Sequence, residues 1–161
     1  MIEVRRLEAH EADRLRELRL RALREAPEAF AETYEEALAR PAEDWARWAA
    51  DPSLVIVVAI NGGEWVGMVA CRELEDRRTW LSALWVDPAA RGTGLGARLI
   101  DAVADWSRER GATALDLSVT TNNEHASALY TSSGFVVTGR VRPLPADPSR
   151  TEVFLTRPVR P

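Results

Sequence analysis

The stretch Arg91-Gly92-Thr93-Gly94-Leu95-Gly96 determines how the rest of the chain is interpreted. It lies between a predicted strand over residues 80–86 and a predicted amphipathic helix that starts at Leu95. Successive backbone N–H groups of such a loop can point into one concavity at the N-terminus of the helix, where the helix dipole favours an anion. The three glycines leave room for that anion, and Arg91 adds positive charge. The loop therefore predicts a site for the pyrophosphate of a cofactor.

Two other classes of phosphate-binding loop compete with this interpretation. Gly92-x-Gly94-x-x-Ala97 fits a variant of the dinucleotide fingerprint, and Asp116 stands near the spacing of a ribose-binding acid. That fingerprint directly follows its strand, however, whereas residues 87–90 intervene here and Asp116 lies inside a predicted strand. The P-loop requires a lysine, and the chain contains none. A dinucleotide site stays as the less favoured alternative, and the P-loop is excluded.

The segments on either side of the loop predict one mixed sheet. Three β-rich runs precede the loop, and the first two are joined by the hairpin signal Asn61-Gly62-Gly63, which predicts an antiparallel meander. The predicted strands cover residues 2–7, 54–60, 65–74, 80–86, 114–119, 135–141 and 152–156. Helical periodicity predicts a helix that ends at Pro27, a helical stretch broken at Arg40-Pro41, a helix that ends at Gly111 and a short helix over 124–133. Residues 143–149 are predicted to be a loop in the last hairpin.

Composition limits the class of protein. A chain of 161 residues with 46% hydrophobic content predicts a single domain over 1–161. The net charge of -4 gives no basic field that would attract nucleic acid. The longest apolar run, residues 54–60, is too short to span a membrane, and the N-terminus lacks the apolar core of a signal peptide. We therefore expect a cytoplasmic protein with no nucleic-acid or membrane partner.

The single cysteine and the two histidines give little support to thiol or metal chemistry. Cys71 cannot form an internal disulfide, and its place within a predicted strand favours a buried side chain over a nucleophile. His10 and His125 have no metal-ligand spacing with each other or with carboxylates. We expect no metal site.

Two blocks of sequence together resemble one known family. Residues 84–96, Leu-Trp-Val-Asp-Pro-Ala-Ala-Arg-Gly-Thr-Gly-Leu-Gly, resemble the motif Arg/Gln-x-x-Gly-x-Gly/Ala of the GNAT acetyltransferases. Residues 123–135, Asn-Glu-His-Ala-Ser-Ala-Leu-Tyr-Thr-Ser-Ser-Gly-Phe, resemble the later motif Asn-x-x-Ala-x-x-Leu-Tyr followed by Gly-Phe. The predicted order of elements is also that of the family. The resemblance implies an α/β (α+β) fold with a mixed, mainly antiparallel sheet of six to seven strands flanked by about four helices.

The resemblance also implies acetyl-CoA as co-substrate and a set of residues that bind it. In the family, main-chain amides of the glycine loop hold the pyrophosphate, and the exposed backbone of the preceding strand pairs with pantetheine. Asn123 corresponds to the asparagine on the cofactor side, although it also fits a helix N-cap. The implied cofactor-binding residues are Leu84, Trp85, Val86, Arg91, Gly92, Thr93, Gly94, Leu95, Gly96, Ala97, Asn123 and Tyr130.

The implied reaction is transfer of an acetyl group to a primary amine by direct attack in a ternary complex. Tyr130 corresponds to the family's tyrosine that protonates the departing thiolate, and the motif match favours this role over the alternative, an aromatic side chain that only packs on its helix face. The strand over 80–86 carries no acidic residue or histidine to act as base. Glu73 and Glu35 are the candidate bases, and a water chain is the alternative.

The acceptor is not determined by the motifs. A small-molecule amine or a protein N-terminus is expected, and acidic residues such as Glu28, Glu32, Glu35 and Glu36 would favour a cationic acceptor if they faced the pocket. The missing acid keeps a second hypothesis open, a non-catalytic acyl-CoA-binding or regulatory module of the same fold. Exposed tryptophans would make a homodimer reasonable.

Overall fold

The computed structural model describes residues 1–145 and 147–160, which build one seven-stranded sheet in the order β1-β2-β3-β4-β5-β7-β6. All neighbouring strands are antiparallel except β4 and β5. The strands are β1 Ile2–Arg6, β2 Leu54–Asn61, β3 Glu64–Glu73, β4 Arg78–Val86, β5 Ala114–Thr120, β6 Val136–Leu144 and β7 Asp147–Pro158. The mixed, mainly antiparallel sheet predicted from the sequence is confirmed.

Five α-helices flank this sheet, one of them only five residues long. They are α1 Ala12–Glu25, α2 Tyr34–Leu38, α3 Ala42–Ala50, α4 Leu95–Glu109 and α5 Glu124–Ser132. The break predicted at Arg40-Pro41 separates α2 from α3, because proline removes an N–H donor and suits the start of a helix. Gly111, just past the end of α4, has a φ of +78°, the left-handed conformation that commonly ends helices at glycine.

The helices cover both faces of the sheet and bury two separate groups of side chains. On one face, α4 and α5 pack on alternate residues of the central strands, with Leu99, Ile100 and Leu115 fully buried. On the other face, α1, α2 and α3 pack on the intervening residues, with Leu15 and Leu18 fully buried. A strand that is covered on both faces buries every side chain, so its sequence is a continuous apolar run and not an alternating one. This explains the uninterrupted hydrophobic stretch of β2.

The single parallel pair explains why a cleft exists. A parallel pair requires a crossover connection, and α4 supplies it between β4 and β5. The register joins β4 to β5 only through Arg78, Thr79 and Trp80. Beyond Trp80 the two strands diverge, and the sheet opens on the side of Val86.

The last hairpin differs from its prediction. β6 continues to Leu144 and β7 starts at Asp147, so most of the predicted loop over 143–149 is strand, while Ala146 lies outside the described residues. Pro143 is tolerated because β6 is the edge strand of the sheet, where proline leaves no inner hydrogen bond unmade. The extension adds Arg150 to the strand that was already predicted to start at Glu152, and both residues lie beside the open part of the sheet.

Candidate active site

A bulge in β4 accompanies the divergence from β5. Met68 pairs with Trp85 and Ala70 pairs with Ser82, so three steps along β4 oppose two steps along β3. Ala83, inside this interval, has a φ of +57°, a left-handed conformation that is costly for an L-residue with a Cβ. Bulges of this kind bend a strand and redirect its backbone. The edge of β4 that faces the cleft is therefore free of β5 from Leu81 onward.

The glycine-rich loop lies at the end of this free edge and opens α4. Gly94 is the N-cap residue of α4, and Gly92 and Gly94 have φ values of +80° and +83°. In the part of the chain that the structure describes, the amides of residues 92–97 have no hydrogen-bond acceptor. Unpaired amides at a helix N-terminus form an anion site. The loop thus has the chemistry that a pyrophosphate requires.

The three glycines of the loop serve two different purposes, which corrects the expectation that all three make room for the anion. A Cβ on Gly92 or Gly94 would contact nothing within 4 Å, and the constraint there is the left-handed backbone. A Cβ on Gly96 would lie 2.9 Å from Cδ2 of Leu129. Gly96 is therefore needed for the close packing of α4 against α5.

Arg91 and Asn123 lie at the cofactor side of the cleft. The Nε of Arg91 donates to the carbonyl of Val86 at 3.0 Å, and its guanidinium forms an ion pair with Glu25. Glu25 also accepts from Nε1 of Trp85 at 3.3 Å. The Asn123 side chain accepts from the amide of Ala126 at 3.3 Å, so it is the N-cap of α5 while it also lines the cleft.

Tyr130 projects from α5 into the region between the diverging strands. Its residue is 8% exposed, and its ring meets Phe135 edge-on at a centroid distance of 5.7 Å. Burial raises the pKa of the Tyr130 phenol above its ordinary value. The side chain is thus both part of the core and part of the cleft wall, and its phenol stays protonated at neutral pH.

The cleft has two halves that meet at shared residues. The cofactor half, about 380 Å³, opens toward Arg91 and is lined by Leu84, Trp85 and Val86. The other half, about 440 Å³, extends between Trp80 and Trp48 toward Arg19. The residues that line both halves are Glu28, Ala29, Leu84, Thr120, Asn123, Ala126, Tyr130 and Arg150. A molecule in one half therefore approaches a molecule in the other beside Tyr130.

The acidic residues considered as bases or as cation-binding groups divide between the cleft and the surface. Glu73 forms an ion pair with Arg110 at 2.9 Å, at the end of β3 remote from Val86, and does not line the cleft. Glu35, in the first turn of α2, does not line it either. Glu36 is engaged in a capping box with Thr33. The half toward Arg19 is instead lined by the acids Glu28, Glu32 and Glu152, and the half toward Arg91 is lined by Glu25 and Glu28.

Glu152 and Arg150 were not identified from the sequence. Glu152 is 6% exposed, pairs in register with Thr120 of β5 and forms an ion pair with Arg142 at 2.5 Å. The available signal was a carboxylate just before the apolar run Val153-Phe154-Leu155 in a strand. That signal does not show which part of the sheet the strand joins, so the cleft could not be inferred from it.

Cys71 contributes nothing to the cleft. It is 1% exposed, and its Sγ lies 3.7 Å from Oγ of Ser107 in the core between β3 and α4. Burial raises the pKa of the thiol to about 11. A covalent acetyl-enzyme on this residue would need a thiolate that this environment suppresses.

A sheet that opens between a bulged strand and its parallel neighbour, next to an amide-rich loop, is the arrangement that the resemblance to the GNAT acetyltransferases implied. The model of the acetyltransferase (GNAT) family matches residues 13–135. The chain belongs to this family, which confirms the resemblance seen in the two motifs.

Individual relatives agree with this assignment. The mycothiol acetyltransferase of Beutenbergia cavernae is 37% identical over 119 residues, which is 73% of this chain but 39% of that protein. A GNAT acetyltransferase from Streptococcus pneumoniae superposes with a TM-score of 0.83 over 99% of this chain and all of that one, at 19% identity. A structure from Salmonella typhimurium with its cofactor acetyl-CoA gives 0.80 over 100% and 95% of the two chains, at 17% identity. The two structures show the shared fold alone.

No helix of the described ranges is long and apolar enough to cross a membrane.

Proposed function

We propose that the chain is an N-acetyltransferase that transfers the acetyl group of acetyl-CoA to a primary amine. The observation that carries the proposal is the cleft, which reaches the start of the glycine loop at Arg91, has a free strand edge along its wall and has Tyr130 where its halves meet. The unpaired amides of the loop follow Arg91 in the chain. This arrangement suits a long phosphorylated thioester in the half toward Arg91, the cofactor half, and an acceptor in the half toward Arg19, the acceptor half. We also propose that the whole chain 1–161 acts as one domain.

The cofactor half supports a specific mode of binding. We assign the pyrophosphate to the amides of residues 92–97, where the helix dipole of α4 adds to their hydrogen bonds. The free edge of β4 at Leu84, Trp85 and Val86 offers backbone groups to the amides of pantetheine, as an added strand would receive them. Arg91 supplies a positive charge at the entrance, and Asn123 lines the opposite wall.

The chemical step requires removal of one proton and delivery of another. The protonated acceptor, of pKa near 10.4, first loses a proton and becomes a nucleophile. Its nitrogen then forms the N–C bond to the acetyl carbonyl, and the C–S bond breaks. The nitrogen loses a second proton, and the sulfur gains one. The products are the acetamide, CoA thiol and one released proton. An oxyanion that develops on the carbonyl is best stabilised by a main-chain N–H near Val86.

We assign to Tyr130 the role of hydrogen-bond donor to the sulfur of the departing CoA. A phenol whose pKa is raised by burial is a weaker acid than a thiol of pKa about 8.5, so it does not give up its proton permanently to the thiolate. It donates a hydrogen bond to the sulfur as the C–S bond breaks and passes on a proton that the acceptor nitrogen replaces. This role needs the hydroxyl and not a tyrosinate.

We assign to Glu152 the role of attracting and orienting the ammonium group of the acceptor. It is a buried carboxylate in the acceptor half, whereas Glu73 and Glu35 lie outside the cleft lining. A carboxylate there attracts the ammonium and orients it, and a water on its far side can accept the proton. Because Glu152 supplies the acid that the strand over 80–86 lacks, catalysis is favoured over the non-catalytic module.

The test is isothermal titration with acetyl-CoA and, separately, with NADH, for the wild type and Gly94→Trp. The bulky side chain would occupy the open space beside Gly94, and we expect micromolar acetyl-CoA binding to fall at least about a hundredfold. Gly111→Trp is the matched control, because Gly111 also has a positive φ and open space but lies at the other end of α4.

Two outcomes would contradict the proposal. Binding of NADH in preference to acetyl-CoA would return the loop to the dinucleotide interpretation. Binding of acetyl-CoA without release of thiol in the presence of any primary amine would favour the non-catalytic module.

A further inference from the structure

The charged side chains of the acceptor half are mostly matched to one another. Glu32 lies between Arg19 and Arg40, with Oε atoms 3.2 Å and 2.5 Å from their guanidinium nitrogens. Glu152 is matched by Arg142, which lies outside the lining. Among the described residues, Arg150 and Glu28 have no ion-pair partner. Arg19 shares its only carboxylate partner with Arg40 and also has a buried terminal nitrogen without a hydrogen bond.

Arg150 is poorly satisfied in the part of the chain that the structure describes. One terminal nitrogen lies 3.4 Å from Oδ1 of Asn122 and 3.5 Å from the carbonyl of Glu28, both at the long limit of a hydrogen bond. Its Nε is buried and has no partner among residues 1–145 and 147–160. A guanidinium carries five donors in a fork that matches a carboxylate. A buried donor without an acceptor is costly, and an anionic ligand would supply the acceptor that this Nε lacks.

The position of Arg150 limits where that anion can be. Arg150 lines both halves of the cleft, as Tyr130 does. The amine to be acetylated must also lie where the halves meet, next to the thioester. An anion bound by Arg150 is therefore close to the reacting nitrogen, as it is in a molecule that carries a carboxylate on the same carbon as its amine.

We infer that the acceptor is a free α-amino acid whose carboxylate is bound by Arg150. The inference rests on the proposed acetyl transfer and names its substrate class. The ammonium faces Glu152, and the side chain extends along Phe30, Trp48 and Trp80, an apolar and aromatic wall. The Arg19–Glu32–Arg40 cluster closes the far end of the cavity.

Other acceptor classes fit these charges less well. A polycationic amine would bring its further positive charges beside three arginines of the lining, Arg19, Arg40 and Arg150, and Glu32 is already shared by two of them. A protein N-terminus has an amide where a free amino acid has its carboxylate, so it would leave Arg150 unsatisfied. Because Arg150 has no carboxylate partner among the described residues, the cleft favours an acceptor that carries a carboxylate as well as an ammonium group.

The experiment compares proteinogenic L-amino acids with their carboxamides. Each pair, such as phenylalanine and phenylalaninamide or methionine and methioninamide, presents the same side chain with and without the carboxylate. Thiol release from acetyl-CoA is measured for the wild type, Arg150→Gln, Arg150→Lys and the control Arg47→Gln. Arg47 is an exposed arginine on α3 that pairs with Asp44 and does not line the cleft.

We expect at least one amino acid to exceed its carboxamide in kcat/KM by about 10- to 100-fold, the usual effect of a charged hydrogen bond. Arg150→Gln should lower kcat/KM for that amino acid by a similar factor, mainly through KM, and leave the carboxamide within about twofold. Arg150→Lys should recover part of the loss. Arg47→Gln should change neither.

Carboxamides or peptides that are used as well as free amino acids by the wild type would overturn the inference. So would an Arg150→Gln variant that loses both substrates equally. If thiol release occurs with amines but with no free amino acid, the substrate class is wrong and the acetyltransferase proposal stands. If acetyl-CoA does not bind, both fail. If no substrate is turned over, calorimetric titration of the amino acids into the protein saturated with CoA tests the inference instead. The inference is rejected if the wild type binds no amino acid, or if Arg150→Gln binds the amino acids as tightly as the wild type does.

Discussion

At the scale of single residues, the chemical role that we propose for Tyr130 belongs to a side chain that also packs in the core. The Tyr130 ring packs against Phe135 in the core, while the residue also lines both halves of the cleft. A ring fixed by packing keeps its hydroxyl in one place without the loss of side-chain entropy at each turnover. The core contact is thus what makes Tyr130 useful for the reaction.

Tyr130→Phe should separate the two roles, because it removes only the hydroxyl. We expect kcat to fall about 10- to 100-fold, while the affinity for acetyl-CoA stays within about threefold and the melting temperature is nearly unchanged. Pre-steady-state thiol release and calorimetry measure these quantities. A variant that lost affinity and kept its kcat would show that the hydroxyl binds the cofactor instead of assisting the leaving group.

The Arg5–Glu11 pair allows a pH prediction. Arg5 donates two hydrogen bonds, of 2.8 and 2.7 Å, to the Glu11 carboxylate, and these hold the pKa of Glu11 to about 2. Because this value lies below that of the unfolded chain, the pair adds stability above about pH 4.5 and loses it as the pH falls toward 2. Glu11→Gln should cost about 1–2 kcal/mol at pH 7, allowing for solvent screening of the half-buried Arg5, and nothing at pH 2.

Urea unfolding at several pH values measures this difference. The control is Glu3→Gln, since Glu3 lies 3.9 Å from the same arginine but is 65% exposed in its side chain. An equal cost for both variants would mean that long-range charge, and not the two hydrogen bonds, stabilises this corner.

At the scale of elements, the junction of α4 and α5 couples cofactor binding to helix packing. Gly96 in the first turn of α4 lies so close to Leu129 of α5 that a Cβ would be 2.9 Å from Cδ2 of the leucine, whose side chain would have to shift. Since α5 carries Asn123 at its start and Tyr130 near its end, this contact sets the distance between the loop and the opposite wall of the cleft. This one contact therefore lies between the start of α4 and the helix that carries Tyr130.

Gly96→Ala should therefore destabilise the protein by about 1–3 kcal/mol through overpacking. Shortening the other side of the contact with Leu129→Ala should relieve the clash, so the double variant should be more stable than the sum of the single effects predicts. A double-mutant cycle by chemical denaturation measures the coupling. Additive effects would indicate that α5 moves away from α4 without strain.

The bulge of β4 is the second feature at this scale, because it bends the strand where the cleft opens. Ala83 has a φ of +57° inside a strand, and such a conformation costs about 1 kcal/mol or more for a residue with a Cβ. Ala83→Gly should leave stability unchanged or raise it by up to about 1 kcal/mol and preserve acetyl-CoA binding. Ala83→Val should lower both, because a β-branched residue resists this conformation more strongly. Thermal unfolding and titration with acetyl-CoA test the pair, and a stable Ala83→Val variant with normal affinity would show that the bulge is not required.

The sequence predicted those elements whose signals are local. The loop, the meander and the helix ends at Pro27 and Gly111 depend on residues next to one another, and all of them are confirmed. Arg150 and Glu152 escaped prediction because their place depends on the register of β7 against β5, which is set by contacts distant in sequence. Prolines on both sides of residue 146 also favoured a loop where edge-strand pairing continues. The candidate bases were misplaced for the same reason, since sequence spacing does not show which carboxylates face a cleft.

At the scale of the whole molecule, the reason first given for a dimer changes. The sequence suggested exposed tryptophans, yet four of the six are at least 94% buried and Trp48 and Trp80 are half-buried. The exposed apolar side chains lie instead on the edge strand β6, where Val136, Val137 and Val141 are 59%, 67% and 59% exposed. An edge strand with apolar side chains offers unpaired backbone groups to a second strand. The homodimer remains a prediction, now placed at β6.

Pairing of two β6 edges about a two-fold axis would extend the sheet across both copies and cover the same valines on each. We expect light scattering to give a dimer that dissociates on dilution, and Val137→Lys to shift it to monomer, because two lysines would then meet across the axis. Leu74→Lys adds the same charge at an apolar residue 43% exposed outside β6, and it should leave the dimer intact. A wild type that is monomeric at all concentrations would reject this interface. In that case the valines of β6 would be free of any partner copy, and the cleft, formed by β4, β5 and β7 of one chain, would work without a second subunit.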